Sequence, residues 1–590
     1  MPGAPPSLRA APRPPLAVGV SILAAPGDVP RWCAALAASI EAHPALELRA
    51  FDLGHDAPTP PSRSPAEAPV RSLLRAIDRS RWPADAPVPP ASVAPAGRRA
   101  GPDALDRCEV VLELDVRRAD GDGRTSRPLA PGSRLWRIDA RRVEAEIEAS
   151  LLAGLDVGDL VLRERLSDPS GAPGPERVRA VHALPAQDFS RRDRLTAAFG
   201  ALPAFVEAAL VRLHRGVDEP APDADRLAAR DRLLAPGHGG AAGAARRRLL
   251  AACRLALRQL SVRARDRFTE ERWELAWCPD PLARADGIET LLGRPVADWH
   301  ALLDAPGRVR ADPHALAGPH GIDLWFEELP DGSERGHVAH ARLERRPDPG
   351  GGDGAVVPHA VDGDPKPALE SDRHLSYPFV FEHEGVRRMV PETARRGRVE
   401  LWREDGSPRR WRLERTLLDG VDVTDTTLLH HDGAWWLFTN AMSHRSVDER
   451  DLLLLYRADA LDGKWRAHPA NPIVRGVERA RMAGAVLEVD GALVRPSQYG
   501  ARRYGHGLNL ARIDVLDAER YAETPLGRIV PDGRGGWLGL HTLSRAGGAL
   551  FADRLRRRPC AGPAGLAGPA VERLAAALAP GARGAARRVR

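Results

Sequence analysis

Lysine is almost missing from this chain. Of its 86 basic residues only Lys366 and Lys464 are not arginine, and with 80 acidic residues the net charge of +6 is small for 590 residues. Arginine is abundant alongside Ala, Pro and Gly throughout, and the one dense basic run is Arg554 to Arg558 together with the tail to Arg590. A nucleic-acid footprint needs basic residues gathered on one face, so none is expected. Cysteine is scarce too: Cys33, Cys108, Cys253, Cys278 and Cys560 stand far apart with no CxxC pair. That spacing excludes a disulfide framework and a zinc site and points to a reducing, cytoplasmic setting, with no metal or cofactor expected. No apolar run approaches the roughly 20 residues that cross a bilayer, so no membrane span is expected. The apolar stretch from Leu16 to Ala25 reads as a buried first strand rather than a signal-peptide core, because a Pro26-Gly-Asp turn and an amphipathic helix follow it directly.

What is present falls into textures that change along the chain. Residues 1–15 are rich in Pro and Ala and are expected to be disordered. From 16 to 190, short apolar runs (Val18 to Leu23, Leu46 to Phe51, Glu109 to Leu114) alternate with helical stretches, which predicts a Rossmann-like α/β domain. A Pro-rich insertion from 57 to 104 interrupts it, with one helical pattern at 70–81. Residues 191–268 have helical periodicity broken by Pro and Gly at 216–243 and read as a helical linker. From 269 to 556 the texture is β, and 557–590 is a basic, low-complexity tail.

The β region carries a weak repeat. Second strands of four hairpins read Gly321-Ile-Asp-Leu-Trp-Phe-Glu-Glu328, Gly385-Val-Arg-Arg-Met-Val-Pro-Glu392, Gly433-Ala-Trp-Trp-Leu-Phe-Thr-Asn440 and Gly491-Ala-Leu-Val-Arg-Pro-Ser-Gln498. The glycines stand 64, 48 and 58 residues apart, the spacing of propeller blades. Inner strands precede them, beginning near Asp312, Tyr377, Asp425 and Arg481, with His541 as the fifth contribution. The fold class expected is therefore an N-terminal α/β domain, a helical linker and a C-terminal five-bladed β-propeller.

In such a ring the starts of inner strands and the ends of second strands meet at one mouth. Asp312, Glu328, Tyr377, Glu392, Asp425, Asn440, Arg481, Gln498 and His541 would then line a carboxylate-rich funnel, with Arg495 and Tyr504 close by. Two carboxylates driven apart in pKa can share acid and base work at a glycosidic centre, and Trp325, Trp435, Trp436 or Tyr504 could hold a sugar face. The bland alternative is that Asp-Pro and Asp-Thr at strand starts are turn formers. Arg481 and Arg495 could equally bind an anionic group or neutralise the funnel.

Several words in fixed order resemble a known family: Ala311-Asp-Pro, Leu324-Trp-Phe-Glu-Glu, His374-Leu-Ser-Tyr-Pro-Phe-Val-Phe-Glu-His, Pro391-Glu-Thr, Leu418-Asp-Gly-Val-Asp, Asp425-Thr-Thr-Leu, Trp435-Trp-Leu-Phe-Thr-Asn, Arg495-Pro-Ser-Gln, Tyr504-Gly, Leu540-His-Thr-Leu and Arg545-Ala-Gly-Gly. Together they look like the five-bladed propeller domain at the N-terminal side of plant glucosamine inositolphosphorylceramide transferases, a domain also found in bacterial proteins. That domain is similar in turn to arabinanase and fructosidase propellers, whose sites use an Asp from the first blade and acids from later blades. The resemblance implies Asp312 in the first role, with Glu392 and Asp425 in the others. It does not carry transferase activity, because nothing after residue 556 looks able to form the transferase domain. Bacterial relatives often place a formyltransferase-like domain in front, which residues 16–185 resemble in layout. The strand Ser133-Arg-Leu-Trp-Arg-Ile-Asp139 lacks the His such a domain would need, which implies a degenerate, inactive copy. Two functions follow: a glycosidase- or glycosyl-transfer-type propeller with Asp312, Glu392 and Asp425 catalytic, or a non-catalytic module binding a glycan or nucleotide sugar.

Overall fold

The computed structural model describes residues 13–23, 30–54, 105, 107–115, 130–152, 157–170, 174–185 and 191–217, and parts of 224–257. It also describes 269–559 apart from 304–306, 320, 334, 348–355, 361–362, 364, 394–395 and 444–449. The expectations for residues 1–12, for the insertion with its helix at 70–81 and for the tail beyond 559 lie outside these residues.

The N-terminal part is one six-stranded sheet in the order β2-β1-β3-β4-β5-β6. Strands β1 (Leu16–Leu23), β2 (Leu46–Gly54), β3 (Val110–Asp115) and β4 (Arg134–Asp139) run parallel, and β5 (Val157–Leu166) and β6 (Arg177–Pro185) continue the sheet antiparallel. Strand β1 is buried along almost its whole length, as a parallel strand covered on both faces must be. Helices α1 (Arg31–Ala42), α2 (Ala140–Leu152) and α3 (Arg191–Arg215) cover it, α3 packing on α1, α2, β5 and β6. The expected linker therefore begins inside this core: Ala198, Leu202, Phe205, Val206 and Ala209 of α3 pack with Val20, Leu36, Leu112 and Trp136. Residues 194–215 are also long and apolar enough to cross a membrane, with a mean hydropathy of 1.4, but 56% of the apolar stretch is buried within the protein.

Five further sheets form the ring of a propeller among the described residues. Blade 1 has its inner strand at Arg308–Gly318 and second strand at Gly321–Pro330; blade 2 at Leu375–His383 and Val386–Thr393; blade 3 at Thr424–His431 and Ala434–Ala441; blade 4 at Leu487–Val489 and Ala492–Tyr499. Blade 5 joins both ends of the region: its inner strand Leu543–Ala546 pairs with Ala549–Pro559, which pairs along eleven residues with β7 (Thr269–Pro279). The first strand of the β region thus closes the ring. Hairpin turns at Glu384-Gly385, Asp432-Gly433 and Asp490-Gly491 all have positive φ at both residues, the backbone that matches strand twist in a two-residue turn. Apolar clusters then fill the wedges between neighbouring blades, such as Trp325, Val380 and Met389 between blades 1 and 2 and Phe438, Leu453 and Met482 between blades 3 and 4.

Candidate functional site

The inner strands of blades 1 to 3 enter the ring through the same irregularity. Asp312, Tyr377 and Asp425 each have φ between 40° and 53°, in the left-handed region that side chains normally avoid. Each sits in a bulge where the inner strand advances three residues against two of its partner: Ala311↔Glu327 then His314↔Trp325, Ser376↔Glu392 then Phe379↔Val390, Thr424↔Asn440 then Thr427↔Phe438. Strain of this kind costs about 1–3 kcal/mol per residue and persists where surrounding contacts over-determine it. Those contacts are visible for Asp312, whose N–H donates to Asp553 Oδ2 at 2.8 Å.

Asp553 lies in the ring-closing pair of strands and is fully buried. It also accepts the backbone N–H groups of His541 (2.9 Å) and Thr542 (3.0 Å), and its Oδ2 lies 2.6 Å from His541 Nδ1. His541 Nε2 faces Asp312 Oδ1 at 3.5 Å, and the same oxygen accepts the Thr542 hydroxyl at 2.7 Å. The other Asp312 oxygen accepts the Tyr377 N–H at 3.2 Å. Burial disfavours an imidazolium here, but Asp553 and Asp312 outweigh it and raise the His541 pKa to about 9. The ring of His541 stacks on Trp273 with centroids 4.1 Å apart, and Tyr504 meets it edge-on. Asp312, His541 and Asp553 are also the one three-ligand group for a cation found among the described residues. They fit one poorly, since the imidazole is held protonated between two carboxylates.

Across the mouth, Asp425 is ion-paired with Arg481, whose guanidinium lies 4.8 Å from the Tyr504 ring centroid. Glu392 is half-buried beside Asp425. Burial first, then the negative charge of Asp425, pushes its carboxyl well above the usual range, against the opposing pull of Arg481. Glu327 is similarly placed: burial raises its pKa, His374 at 3.2 Å lowers it, and Asp312 raises it again. Bonding to Glu327 in turn raises the pKa of His374.

The structure brings Asp312, Glu392, Asp425, Arg481, Tyr504 and His541 together. The other expected site residues are spent on the walls. Glu328 is buried and ion-paired with Arg308 (2.5 Å) and Arg310 (2.8 Å); its neighbour Glu327 takes the funnel position. In blades 2 to 4 the repeat glycine lies in the turn, whereas Gly321 is already the first paired residue, opposite Gly318. Counting seven from it overshoots by one, and one residue along a strand exchanges faces. The Tyr377 hydroxyl accepts the Gly484 N–H (2.8 Å) and bonds Thr427 (2.8 Å). Asn440 donates to Ala480 O and accepts from Met482 N, and Gln498 donates to Met482 O. Arg495 is buried against Glu523 and Arg479 O. Trp325, Trp435 and Trp436 are buried between strands, leaving Tyr504 and Trp273 as the rings at the site. Glu327, His374, Asp553 and Trp273 escaped sequence reasoning, although Glu327 and His374 stand within the matching words.

Residues 366–542 match the family model described as glucosamine inositolphosphorylceramide transferase 1, N-terminal. The chain is 33% identical over 178 residues to glucosamine inositolphosphorylceramide transferase 1 of Oryza sativa subsp. japonica, which is 29% of this chain and 24% of that protein. It is 33% identical over 158 residues to the protein of the same name from Arabidopsis thaliana, 26% and 20% of the two chains. The match thus spans about a quarter of the length of these curated relatives. Among solved structures, a GH43_1 enzyme from Xanthomonas citri is similar with a TM-score of 0.30 and 14% identity, covering 43% of this chain and 89% of that one. The α-L-arabinofuranosidase PaAbf62A from Podospora anserina has a TM-score of 0.30 and 12% identity, covering 48% and 98%. At such scores these two likenesses carry no argument.

Proposed function

We propose that the funnel acts on a carbohydrate, with Glu392 as acid, Asp312 as base and Asp425 setting the proton on Glu392. The observation that carries this reading is the placing of Glu392 beside Asp425, where burial first and the charge of Asp425 second push its carboxyl well above the usual range, while Asp425 itself is ion-paired with Arg481. That arrangement favours a proton on one half-buried carboxyl, while a second acid, Asp312, accepts bonds from the Tyr377 N–H and the Thr542 hydroxyl; two carboxyls in such different surroundings can divide acid from base work. The similar proteins of Oryza sativa and Arabidopsis thaliana are named glucosamine inositolphosphorylceramide transferases, which supports a sugar as ligand. The α/β domain enters as a non-catalytic scaffold. Its formyltransferase-like reading rests on strand layout alone, and the family match begins only at residue 366. The one histidine–aspartate pair that its described residues form, His182 with Asp451, faces the propeller.

A second reading, a glycan- or nucleotide-sugar-binding module, is favoured by how fully Asp312 and Asp425 are engaged by Thr542, Tyr377, His541 and Arg481. A panel of aryl glycosides and nucleotide sugars separates the two. Turnover by the wild type that falls at least about a hundredfold in Asp312→Asn and Glu392→Gln supports catalysis, that being the scale of acid–base contributions. Saturable binding without turnover supports the module, and equal turnover by wild type and Asp312→Asn sinks the catalytic assignment.

A further inference from the structure

We propose that the α/β domain is a positioning element for the funnel: docked on the rim of blades 3 and 4, it holds the segment Gly476–Arg481, and through that segment the guanidinium of Arg481 against Asp425. The importance of that arginine rests on the function proposed above.

The docking is specific and buried. His182 of β6 and Asp451 of the propeller are both fully buried, with Nε2 and Oδ2 2.9 Å apart. A buried polar pair of this kind offsets its desolvation only when both partners are in place. The next residue, Ala183, accepts the N–H of Val477 at 3.1 Å, and Ala183, Val477 and Ala501 share an apolar cluster. Gly476 has φ +95°, and a Cβ added there would stand 3.0 Å from Ala183 Cβ and 3.1 Å from its backbone nitrogen. Only glycine allows this approach. Arg475 lies over the ring of Phe205 at 5.4 Å, and Arg212 of α3 reaches Ala470 O at 3.2 Å.

The contact is at the mouth end of the ring. Asp451 immediately precedes Leu452, whose carbonyl accepts the Asn440 side-chain amide. From the interface the segment runs straight to the site. Gly476 N donates to Asp451 O and Ala480 N to Gly476 O; Asn440 then clamps Ala480 O and Met482 N on either side of Arg481. The competing account is that the propeller holds this segment unaided, since Arg495 bonds Arg479 O, Asn509 bonds Glu478 O and Gly500 N bonds Val477 O.

The two accounts differ in which amides open when the interface is wedged. In the full chain, Gly476→Val and Ala183→Leu push on the same contact from opposite sides, and His182→Gln keeps a donor for Asp451. Amide hydrogen exchange is read at Met482 and Gln498, which flank Arg481 through Asn440 Oδ1 and Arg481 O. The Asp312 and His541 amides on Asp553 serve as references. The proposal expects exchange at Met482 and Gln498 at least about tenfold faster in both wedge variants, with the references unmoved and His182→Gln like wild type. Unchanged Met482 and Gln498 amides with an opened Val477 amide would overturn it, as would references that open together with them. Because exchange needs no ligand, the result stands whatever the sugar panel gives.

Discussion

Asp425 is ion-paired with Arg481 and at the same time, after burial, its charge is what raises the carboxyl of neighbouring Glu392 well above the usual range, so a proton and a guanidinium answer to one acid. The chemistry proposed for the funnel depends on the proton remaining on Glu392 while Asp425 stays paired.

Asp425→Asn should move that proton. Burial is the larger cause of the raised Glu392 pKa and stays in place, but the negative neighbour goes and Arg481 is left facing Glu392. The titration midpoint should fall part of the way towards 4.5, the ordinary value for a glutamate. Carboxyl-labelled glutamate NMR reads it directly. An unmoved midpoint would assign the whole shift to burial.

Stability should carry a signature of His541. Its folded pKa of about 9 lies above the ordinary 6.5, so its contribution is complete below pH 6.5 and is lost as the pH rises through 9. At about 1.4 kcal/mol per pKa unit, the loss between pH 6 and pH 10 amounts to roughly 3 kcal/mol. Urea unfolding at the two values measures it, and His541→Gln should flatten the difference. Glu392 changes stability in the same direction on the acid side, since a carboxyl with a raised folded pKa loses stability as pH climbs above 4.5.

Glu327→Gln and Glu328→Gln should behave in opposite ways. Removing the Glu328 charge leaves the buried Arg310 guanidinium without its acid and should cost about 3 kcal/mol in unfolding experiments. Glu327, half-buried beside His374, should cost little stability and should instead alter whatever the funnel binds. Matched losses of stability would place both residues in the wall.

Gly505→Ala tests the aromatic side. A Cβ there would stand 2.6 Å from Trp273 and 3.0 Å from His541 Cβ, on a backbone with φ +60°. The Trp273–His541 stack must shift, at a cost of about 1–3 kcal/mol. A lower Tm together with altered tryptophan emission would register the displacement, and an unchanged spectrum would show that the stack adapts.

Much of the ring could be read in the chain because hairpin turns demand particular residues. Glu384-Gly385, Asp432-Gly433 and Asp490-Gly491 announce themselves, and the polar strand ends follow by counting. The count failed at blade 1, where a glycine of the same appearance is paired instead of turning. The wall residues misled for a different reason. The segment around Arg481 lies outside the named strands and leaves backbone groups that must find partners, and Asn440 and Gln498 supply them, so polar residues at the mouth split between funnel-facing and backbone-facing positions that spacing cannot separate. Asp553 was hidden because its strand looks like any outer strand until β7 is known to pair with it.

That pairing has a consequence for how the protein comes into being. Asp553 is translated 241 residues after the Asp312 whose amide it must hold, and β7, which carries Trp273, waits from the outset for a strand that arrives last. A nascent or truncated chain that stops before residue 553 lacks the carboxylate that accepts the amides of Asp312, His541 and Thr542, and so holds no assembled cluster. Ring closure therefore doubles as a completeness check, in which the Asp312–His541–Asp553 cluster comes into existence only when the strand carrying Asp553 is in place.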